Sequence, residues 1–408
     1  MSSQNSPSRL RAGVFLAPFH PVDEDPTLAI HRDLALMEHL DALGFDEAWV
    51  GEHHSAGFEI IASPELFIAA AAERTKRIRL GTGVISLPYH NPLMVADRII
   101  QLDHMTRGRA MFGVGPGLLP TDAEMLDVPV DKQRSRMAEA LDVILRLLAG
   151  ETVTEKNDWY SLKGARCQLR PYSQPRPEFA VASTITPSGA TLAGKHGIGL
   201  LCVAATVLEG YDALDTNWRI ACDVAQQHGN SLDRSMLRLV GPMHIAETRE
   251  QAMKDVEHGL DKWIAYFARV NPTAAGADLG SSTPAQAMVD SGRAVIGTPD
   301  DAIAQLKRLR TKVGDFGSFL LLAHNWASFE RTKHSYELFA RHVLPALNQE
   351  NNWRQESLTH YTDNKQTLLG KTEQAMRATF EKHQADVAKA MQARQAEDSK
   401  RSDTKPNS

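Results

Sequence analysis

Two kinds of apolar run alternate along most of the chain: short runs rich in β-branched residues, and longer runs with an apolar residue at every third or fourth position. The short runs predict buried strands and the longer ones predict amphipathic helices. Strands are predicted at 11–17, 46–50, 78–87, 109–114, 178–183, 199–203, 237–245 and 316–322. Helices between consecutive strands indicate parallel crossovers. Eight such units favour an α/β fold, a closed (β/α)8 TIM barrel, over an open doubly wound sheet.

Residues at helix ends support this interpretation. Gly44 is placed to end a helix predicted at 28–43, because glycine adopts the left-handed conformation found there. Pro64 stands at the first position of the next helix, where its missing N–H group is not needed. Further helices are predicted at 94–105 and 137–148.

Two insertions interrupt the alternation. Residues 150–177 contain Trp159 and Tyr160 and end in a proline-rich stretch, which predicts a loop or hairpin. Residues 271–292 are rich in Ala, Gly, Ser and Thr without a clear period, which predicts a mobile lid beside the barrel mouth.

Composition changes sharply near residue 348, where a tail rich in Gln, Lys, Glu and Asn begins. We therefore predict a disordered N-terminus at 1–9, a barrel domain at 10–347 and a polar C-terminal extension at 348–408. Within the extension, 371–396 predicts a polar helix and 397–408 predicts disorder.

The overall charge and the cysteine content exclude several classes of protein. A net charge of −5 gives no basic footprint for nucleic acid or an anionic membrane surface. The longest apolar runs are shorter than the roughly 18 residues that span a bilayer, and the N-terminus lacks the apolar core of a signal peptide. Three cysteines without paired spacing favour a reducing, cytoplasmic environment.

Polar residues follow the second predicted strand: Glu52, His53 and His54 come directly after the apolar run 47–50. The carboxyl ends of parallel barrel strands meet at one face, where active sites lie. An imidazole titrates near neutral pH and can transfer protons, although an ordinary loop histidine fits the same pattern. A metal site is not indicated, because the sequence has no HExxH motif and no second cluster at ligand spacing.

Two glycine-containing segments end the third and fourth predicted strands. Gly81, Gly83 and the adjacent Val84 predict either a β-bulge or a close approach of the backbone to a ligand. The segment 113–117, Gly-Val-Gly-Pro-Gly, lacks the GxGxxG spacing and has a proline inside the turn. A nicotinamide dinucleotide site is therefore not favoured there, and a loop that exposes backbone to a ligand is the better interpretation.

Hydroxyl groups are concentrated in the segment 183–189, before a helix predicted at 190–196. Hydroxyls and free N–H groups at a helix start form an anion site. Capping of the helix by Thr186, with Pro187 at its first position, explains the same residues. The two interpretations are compatible.

Together these segments resemble the luciferase-like flavin-dependent monooxygenase family, which includes bacterial luciferase and a limonene monooxygenase group. The resemblance covers residues 10–347. It implies that His53 lies beside the flavin ring as the catalytic histidine and exchanges a proton with the flavin or the substrate. It also implies that the backbone at Gly83 and Val84 supports the ring through a non-prolyl cis peptide bond.

The same resemblance implies reduced FMN as a diffusible cosubstrate. Gly115 and Pro116 stand where bacterial luciferase has a cysteine and a phosphate-binding arginine, so we expect flavin to be held weakly. Asp122 keeps a matching carboxylate farther along this loop, and an arginine at the place of Arg134 organises it. Contacts to the flavin phosphate are implied at Ser183, Thr184, Thr186 and Ser188.

The activity that the resemblance implies is insertion of one oxygen atom from dioxygen into a small organic substrate, such as a monoterpene. A separate flavin reductase would supply the reduced FMN. It implies a homodimer that pairs through helices of the first half of the barrel, where the run from Ala69 to Ala72 permits close approach. Trp263, Tyr266 and Phe267, at helical spacing, are interpreted as core residues.

Three alternatives stay open at this point. A deazaflavin-dependent oxidoreductase would transfer hydride on the same fold and ignore dioxygen, and a non-catalytic flavin-binding barrel would keep the fold without turnover. A barrel metallohydrolase usually begins with a His-x-His pair at the first strand, where this chain has His20 alone.

Overall fold

The structure is a computed structural model and describes residues 9–17, 19–270 and 283–402. The chain divides into two compact units, Met1–Asn348 and Gln349–Ser408.

Strands in the described residues number twelve: β1 (Arg11–Leu16), β2 (Glu47–Val50), β3 (Arg79–Ser86), β4 (Ala110–Gly115), β5 (Val153–Lys156), β6 (Ser161–Ala165), β7 (Glu178–Ser183), β8 (Gly199–Cys202), β9 (Leu237–Gly241), β10 (Met243–Ile245), β11 (Val295–Gly297) and β12 (Ser318–Leu322). Eight of them close a parallel barrel in the order β1-β12-β9-β8-β7-β4-β3-β2. The (β/α)8 barrel predicted from the sequence is therefore confirmed.

Helices connect the barrel strands: α1 (Pro26–Leu43), α2 (Pro64–Arg74), α3 (Pro92–Thr106), α4 (Pro120–Met125), α5 (Gln133–Leu148), α6 (Ser188–His196), α7 (Leu208–Gln227), α8 (Arg249–Val256), α9 (Leu260–Val270), α10 (Pro284–Asp290), α11 (Pro299–Val313), α12 (Phe329–Leu338) and α13 (Leu344–Leu347). Short 3-10 turns lie at Leu87–Tyr89, Val130–Lys132 and Arg234–Met236, and a π-helical segment lies at Phe339–Val343. Gly44 ends α1 in the left-handed conformation, as predicted.

Differences from the predicted elements have local causes. The strand predicted at 237–245 is divided at Pro242 into β9 and β10, because proline cannot donate to a strand ladder. β10 leaves the barrel and pairs in parallel with β11. The insertion at 150–177 holds the antiparallel hairpin β5–β6. In the segment predicted as a lid, α10 occupies 284–290 and residues 271–282 lie outside the described part of the chain.

Alternate strand residues pack inside the barrel around Trp49, which is fully buried. Two glycines of β3 pack directly against the side chain of Trp49. A Cβ atom at Gly81 would lie 2.7 Å from its indole, and one at Gly83 would lie 2.9 Å from its Cβ. Real Cβ atoms do not approach other atoms so closely, so both positions require glycine for packing.

Charged side chains close the amino-terminal end of the barrel interior. Arg238 is fully buried; its Nε lies 2.7 Å from Glu47, and its Nη2 donates to Glu178. Arg11 reaches Glu47 at 2.9 Å, and Ser318 Oγ donates to the same carboxylate at 3.0 Å. Burial alone would raise the pKa of Glu47, but the charge and hydrogen bonds of Arg238 bring it to about 2.

The second unit contains one long helix, α14 (Asn352–Ser402). The polar helix predicted at 371–396 is thus part of a longer one. Residues 397–402, part of the stretch predicted to be disordered, continue this helix. The rest of that stretch, 403–408, and residues 1–8 of the predicted disordered N-terminus lie outside the described part of the chain. Among the described helices, none combines the length and the apolar character needed to cross a membrane.

Candidate active site

The loop after β2 carries the paired histidines and returns on itself. β2 ends at Val50, so His53 and His54 lie beyond the strand. Ala56 and Gly57 both have positive φ, 64° and 78°, which reverses the chain. The backbone N–H of His53 then donates to the carbonyl of Ile61 at 3.2 Å. This turn brings the second half of the loop back beside His53.

His53 is flanked by two carboxylates. Its Nδ1 lies 3.3 Å from Asp122 Oδ2, and its Nε2 lies 3.2 Å from Glu59 Oε2. Its side chain is only 13% exposed. Burial acts to lower the pKa of His53, but the negative charge of Glu59 and the hydrogen bond to Asp122 raise it above its ordinary value. The two carboxylates therefore favour the protonated form of the imidazole.

Both carboxylates are held by further donors. Asp122, at the start of α4, accepts from the backbone N–H of His54 at 3.2 Å and from Ser55 Oγ. Glu59 Oε1 accepts from the hydroxyl of Tyr266 on α9 at 2.8 Å. Burial opposes ionisation of Asp122, but the hydrogen bonds from His53 and Ser55 lower its pKa. These bonds fix both partners of the imidazole.

A second carboxylate–histidine group surrounds Glu52, which is buried. Its Oε1 lies 2.8 Å from His54 Nε2 and 2.6 Å from His90 Nε2, and its Oε2 accepts from the backbone N–H of Ser86 at 2.8 Å. Burial would raise the pKa of Glu52, but the hydrogen bonds from His54 and His90 bring it to about 2. Glu52 therefore ties the loop after β2 to the end of β3.

An apolar floor lies at the carboxyl end of the barrel. Four partly buried side chains at strand ends pack on the interior core: Ala17, Val84, Val203 and Leu322. The peptide bond Gly83–Val84 is cis, as the resemblance implied. The register between β3 and β4 shifts between Thr82 and Ile85, as a β-bulge at this position would produce.

The glycines that end β4 also have packing reasons. A Cβ atom at Gly115 would lie 2.6 Å from Val84, and one at Gly117, which has a φ of 88°, would lie 2.2 Å from the hydroxyl of Tyr89. That hydroxyl accepts from Gln133 Nε2 at 3.0 Å. Pro116, between the two glycines, is partly buried. Arg134, the predicted loop organiser, is exposed on α5, whereas the adjacent Gln133 contacts Tyr89 in the turn after β3.

The hydroxyl-rich loop after β7 does not cap the helix that follows it. Helix α6 begins at Ser188, and Pro187 stands at the cap position without a side-chain hydrogen bond. The prediction that Thr186 caps the helix is therefore wrong; its Oγ1 lies 3.1 Å from Ser188 Oγ. Ser183 Oγ is buried and has no hydrogen-bond partner among the described residues. Thr184, Thr186 and Ser188 are exposed.

The sequence analysis missed Glu59 and the hydrogen bond that Tyr266 makes to it. Trp263 and Tyr266 are buried in a satellite core, as predicted, yet the Tyr266 hydroxyl reaches the partner of His53. A buried tyrosine usually finds a hydrogen-bond partner, which was the available signal. Within the described residues, no group of three or more His, Cys, Asp or Glu side chains could hold a metal ion.

Comparison with known proteins agrees with this geometry. The description "Luciferase-like monooxygenase" belongs to the family profile that matches residues 10–315. The chain is 52% identical to limonene 1,2-monooxygenase of Rhodococcus erythropolis over 342 residues, which are 83% of this chain and 87% of that protein.

Solved structures give the same result. The monooxygenase RslO1 of Streptomyces bottropensis superposes with a TM-score of 0.73 at 26% identity, over 83% of this chain and 100% of that one. The oxygenating constituent of 3,6-diketocamphane monooxygenase from Pseudomonas putida, a type II Baeyer-Villiger enzyme in complex with FMN, gives 0.70 at 22% identity over 83% and 98%. The chain therefore belongs to the luciferase-like monooxygenase family and is an oxidoreductase of the monooxygenase class.

Proposed function

We propose that this protein is the oxygenase component of a two-component flavin monooxygenase. It takes reduced FMN from a separate flavin reductase and uses dioxygen to place one oxygen atom in a small apolar substrate. The observation that carries this proposal is His53, buried between Glu59 and Asp122 in the loop that follows β2. The high identity to a named monooxygenase supports it.

His53 is assigned as the catalytic group. Gly51, two residues earlier, approaches the carbonyl of Gly83: a Cβ atom there would lie 3.5 Å from that oxygen. The loop that carries His53 therefore begins beside the backbone of Gly83. A positioned histidine that holds a proton near neutral pH can act as a general acid there.

The chain offers contacts for both ends of FMN. Gly83, Val84, Gly115 and Pro116 would line the ring end, because they form the bulge and the adjoining strand end. The phosphate would meet the loop before α6, where the unpartnered Ser183 Oγ and the start of a helix supply donors; its candidates are Ser183, Thr184, Thr186 and Ser188. Bound flavin supplies the oxygen-transfer chemistry. Asp122, the other predicted cofactor-binding residue, also contacts His53.

For the substrate, we propose a monoterpene-like hydrocarbon. The floor of Ala17, Val84, Val203 and Leu322 has no charged side chain, and the relative with 52% identity is named for limonene. An apolar floor favours an apolar ligand.

Turnover under ¹⁸O₂ tests the activity and the substrate class together. Purified protein, reduced FMN and a flavin reductase would be given limonene in one reaction and a cyclic terpene ketone in another. Incorporation of one labelled oxygen atom into the limonene product is the expected result. Label in the ketone product alone would support the Baeyer-Villiger reaction instead. Binding of flavin without labelled product from either would indicate a non-catalytic barrel.

The deazaflavin alternative is separated by the oxygen requirement. A hydride-transferring enzyme would turn over anaerobically with a reduced deazaflavin and leave no label in its product. The protein proposed here requires dioxygen and reduced FMN together, so substrate consumption without dioxygen would contradict the assignment.

We propose further that the protein forms a homodimer through α2 and α3. Ala71 and Ala72 are buried in the monomer, but Ala70 and Leu66 on α2 are exposed, and Leu66 has 74% of its surface accessible. Met94 and Met105 on α3 are exposed as well. Light scattering at micromolar concentration should give a dimer, and Leu66→Lys should give a monomer. Leu169→Lys, at an exposed leucine outside these helices, is the matched control.

A further inference from the structure

We propose that Glu59, seated by Tyr266, is a positioning residue that clamps the imidazole of His53 against Asp122 with both ring nitrogens protonated. The effect of this clamp on catalysis rests on the proposed function, in which His53 is the general acid. Its structural content stands independently of flavin and substrate.

Each nitrogen of the His53 imidazole lies close to a carboxylate oxygen. One nitrogen faces Asp122 Oδ2 at 3.3 Å and the other faces Glu59 Oε2 at 3.2 Å. A neutral imidazole has one N–H group and one lone pair, whereas the protonated ring donates from both nitrogens. In the neutral ring one lone pair would face a carboxylate oxygen. The doubly protonated form is therefore the one that this pair of carboxylates accommodates.

Glu59 itself has a polarised environment. Its side chain is 7% exposed, and its Oε1 is occupied by the hydroxyl of Tyr266 at 2.8 Å. Its Oε2 is buried and makes no hydrogen bond of good geometry among the described residues. A buried carboxylate needs a compensating charge, and the cation that faces this oxygen is the imidazole of His53. The charges of Glu59 and His53 therefore compensate each other.

Charged groups around His53 favour the doubly protonated imidazole. Glu59 and Glu52 share the loop with His53, Asp122 comes from α4, and each raises the pKa of His53 against the effect of burial. His54, next in the chain, is bound to Glu52. The hydroxyl of Tyr266 donates to Glu59, and the ring of Tyr89 lies beside that of His54. Burial raises the pKa of each hydroxyl, to about 12 for Tyr89. The two hydroxyls therefore stay neutral near pH 7.

The consequence is a fixed ring that retains its proton at neutral pH. Because Asp122 and Glu59 hold opposite nitrogens, the imidazole cannot rotate without losing one of them. Glu59 acts through His53 and does not itself need to touch the substrate. Tyr266 brings helix α9, from the second half of the barrel, into the same chain of contacts.

A titration of His53 by NMR, on protein with labelled histidine and without flavin, tests the clamp. The signal is identified by its loss in His53→Gln. Glu59→Gln should lower the midpoint of the His53 titration by roughly one pH unit or more, the usual effect of removing a close opposite charge. Tyr266→Phe should lower it in the same direction by a smaller amount, because Glu59 keeps its charge but is no longer held against the imidazole by the hydroxyl.

Matched controls come from a second tyrosine–glutamate pair. Tyr160 donates to Glu155 on the hairpin β5–β6, so Glu155→Gln and Tyr160→Phe remove the same groups outside the clamp. Both should leave the His53 titration unchanged. An unchanged midpoint in folded Glu59→Gln, or in folded Tyr266→Phe if the first variant does not fold, would overturn the proposal.

Kinetics separate the clamp from the proposed function. In the active enzyme, the alkaline limb of kcat/KM should move to lower pH in Glu59→Gln, with kcat at low pH largely retained. If the NMR midpoint moves as expected but no oxygenation occurs, the clamp stands and the proposed function fails. If oxygenation occurs and the NMR midpoint does not move, the proposed function stands and the clamp fails.

Discussion

The two ends of the barrel interior both bury carboxylates against cations, and they differ in the kind of cation. At the amino-terminal end, Glu47 and Glu178 pair with Arg238, which keeps its charge at every accessible pH. At the carboxyl-terminal end, Glu59, Asp122 and Glu52 face histidines, which change charge near neutral pH. The first arrangement can only hold structure. The second can also release and accept protons.

Burial follows the same division. Arg238 and Glu47 are completely inaccessible, whereas the side chains of His53, His54 and His90 keep 13%, 24% and 22% of their surface exposed. A group that exchanges protons needs access to solvent or ligand, and a fixed ion pair does not. We therefore expect changes at the amino-terminal end to affect stability and changes at His53 to affect turnover.

The largest expected effect is on turnover. His53→Ala removes the proposed proton donor, and a positioned acid is typically worth about 10²–10⁴-fold in rate. Oxygenation rates with reduced FMN should fall by roughly that factor in a protein whose circular dichroism spectrum still shows the native fold. The melting temperature should fall as well, because the buried Glu59 loses the cation that faces it. Unchanged oxygenation with flavin bound would place the catalytic group elsewhere.

Next in size is the loss of stability at the opposite end. Arg238→Met leaves Glu47 and Glu178 without their central cation, and breaking a buried pair from one side costs about 3–5 kcal/mol of unfolding free energy. Urea denaturation measures it. Arg79→Ala removes a partly exposed partner of Glu178 and should cost about 1 kcal/mol or less. Equal losses in the two variants would contradict the division.

A smaller effect should appear in acid. The pKa of Glu52 is about 2, below its ordinary value, because His54 and His90 hydrogen-bond the carboxylate despite its burial. Its contribution to stability is therefore complete above the unfolded pKa and is lost as the pH falls toward about 2. Glu52→Gln should lose about 2 kcal/mol at neutral pH and less in acid. A parallel pH dependence in both proteins would exclude this cause.

The smallest effect concerns cofactor retention. Pro116 leaves the phosphate end of the proposed FMN site without the arginine that bacterial luciferase is expected to have. Pro116→Arg would place a permanent charge at the carboxyl end, and we expect FMN to bind roughly tenfold more tightly, about 1.4 kcal/mol. Equilibrium dialysis measures the change, with Pro116→Ala as the control. Stoichiometric FMN on wild-type protein after gel filtration would show that no arginine is needed.

The barrel could be predicted from the sequence because buried parallel strands give continuous apolar runs. The cis bond at Gly83–Val84 came from the resemblance, not from spacing. Glu59 could not be predicted, because its contact with Tyr266 joins positions 207 residues apart. Helical spacing correctly made Tyr266 a core residue, but spacing gives no direction for a single hydroxyl. β11 was missed because three residues are too few for a recognisable pattern.

The bond between Tyr266 and Glu59 also constrains how this protein can be recombined with its relatives. The two residues come from opposite halves of the gene, so a chimera that takes α9 from a relative with phenylalanine at position 266 would leave Glu59 without its donor. Exchanging both positions together should restore what either exchange alone removes. The pair should therefore be inherited, and engineered, as one unit.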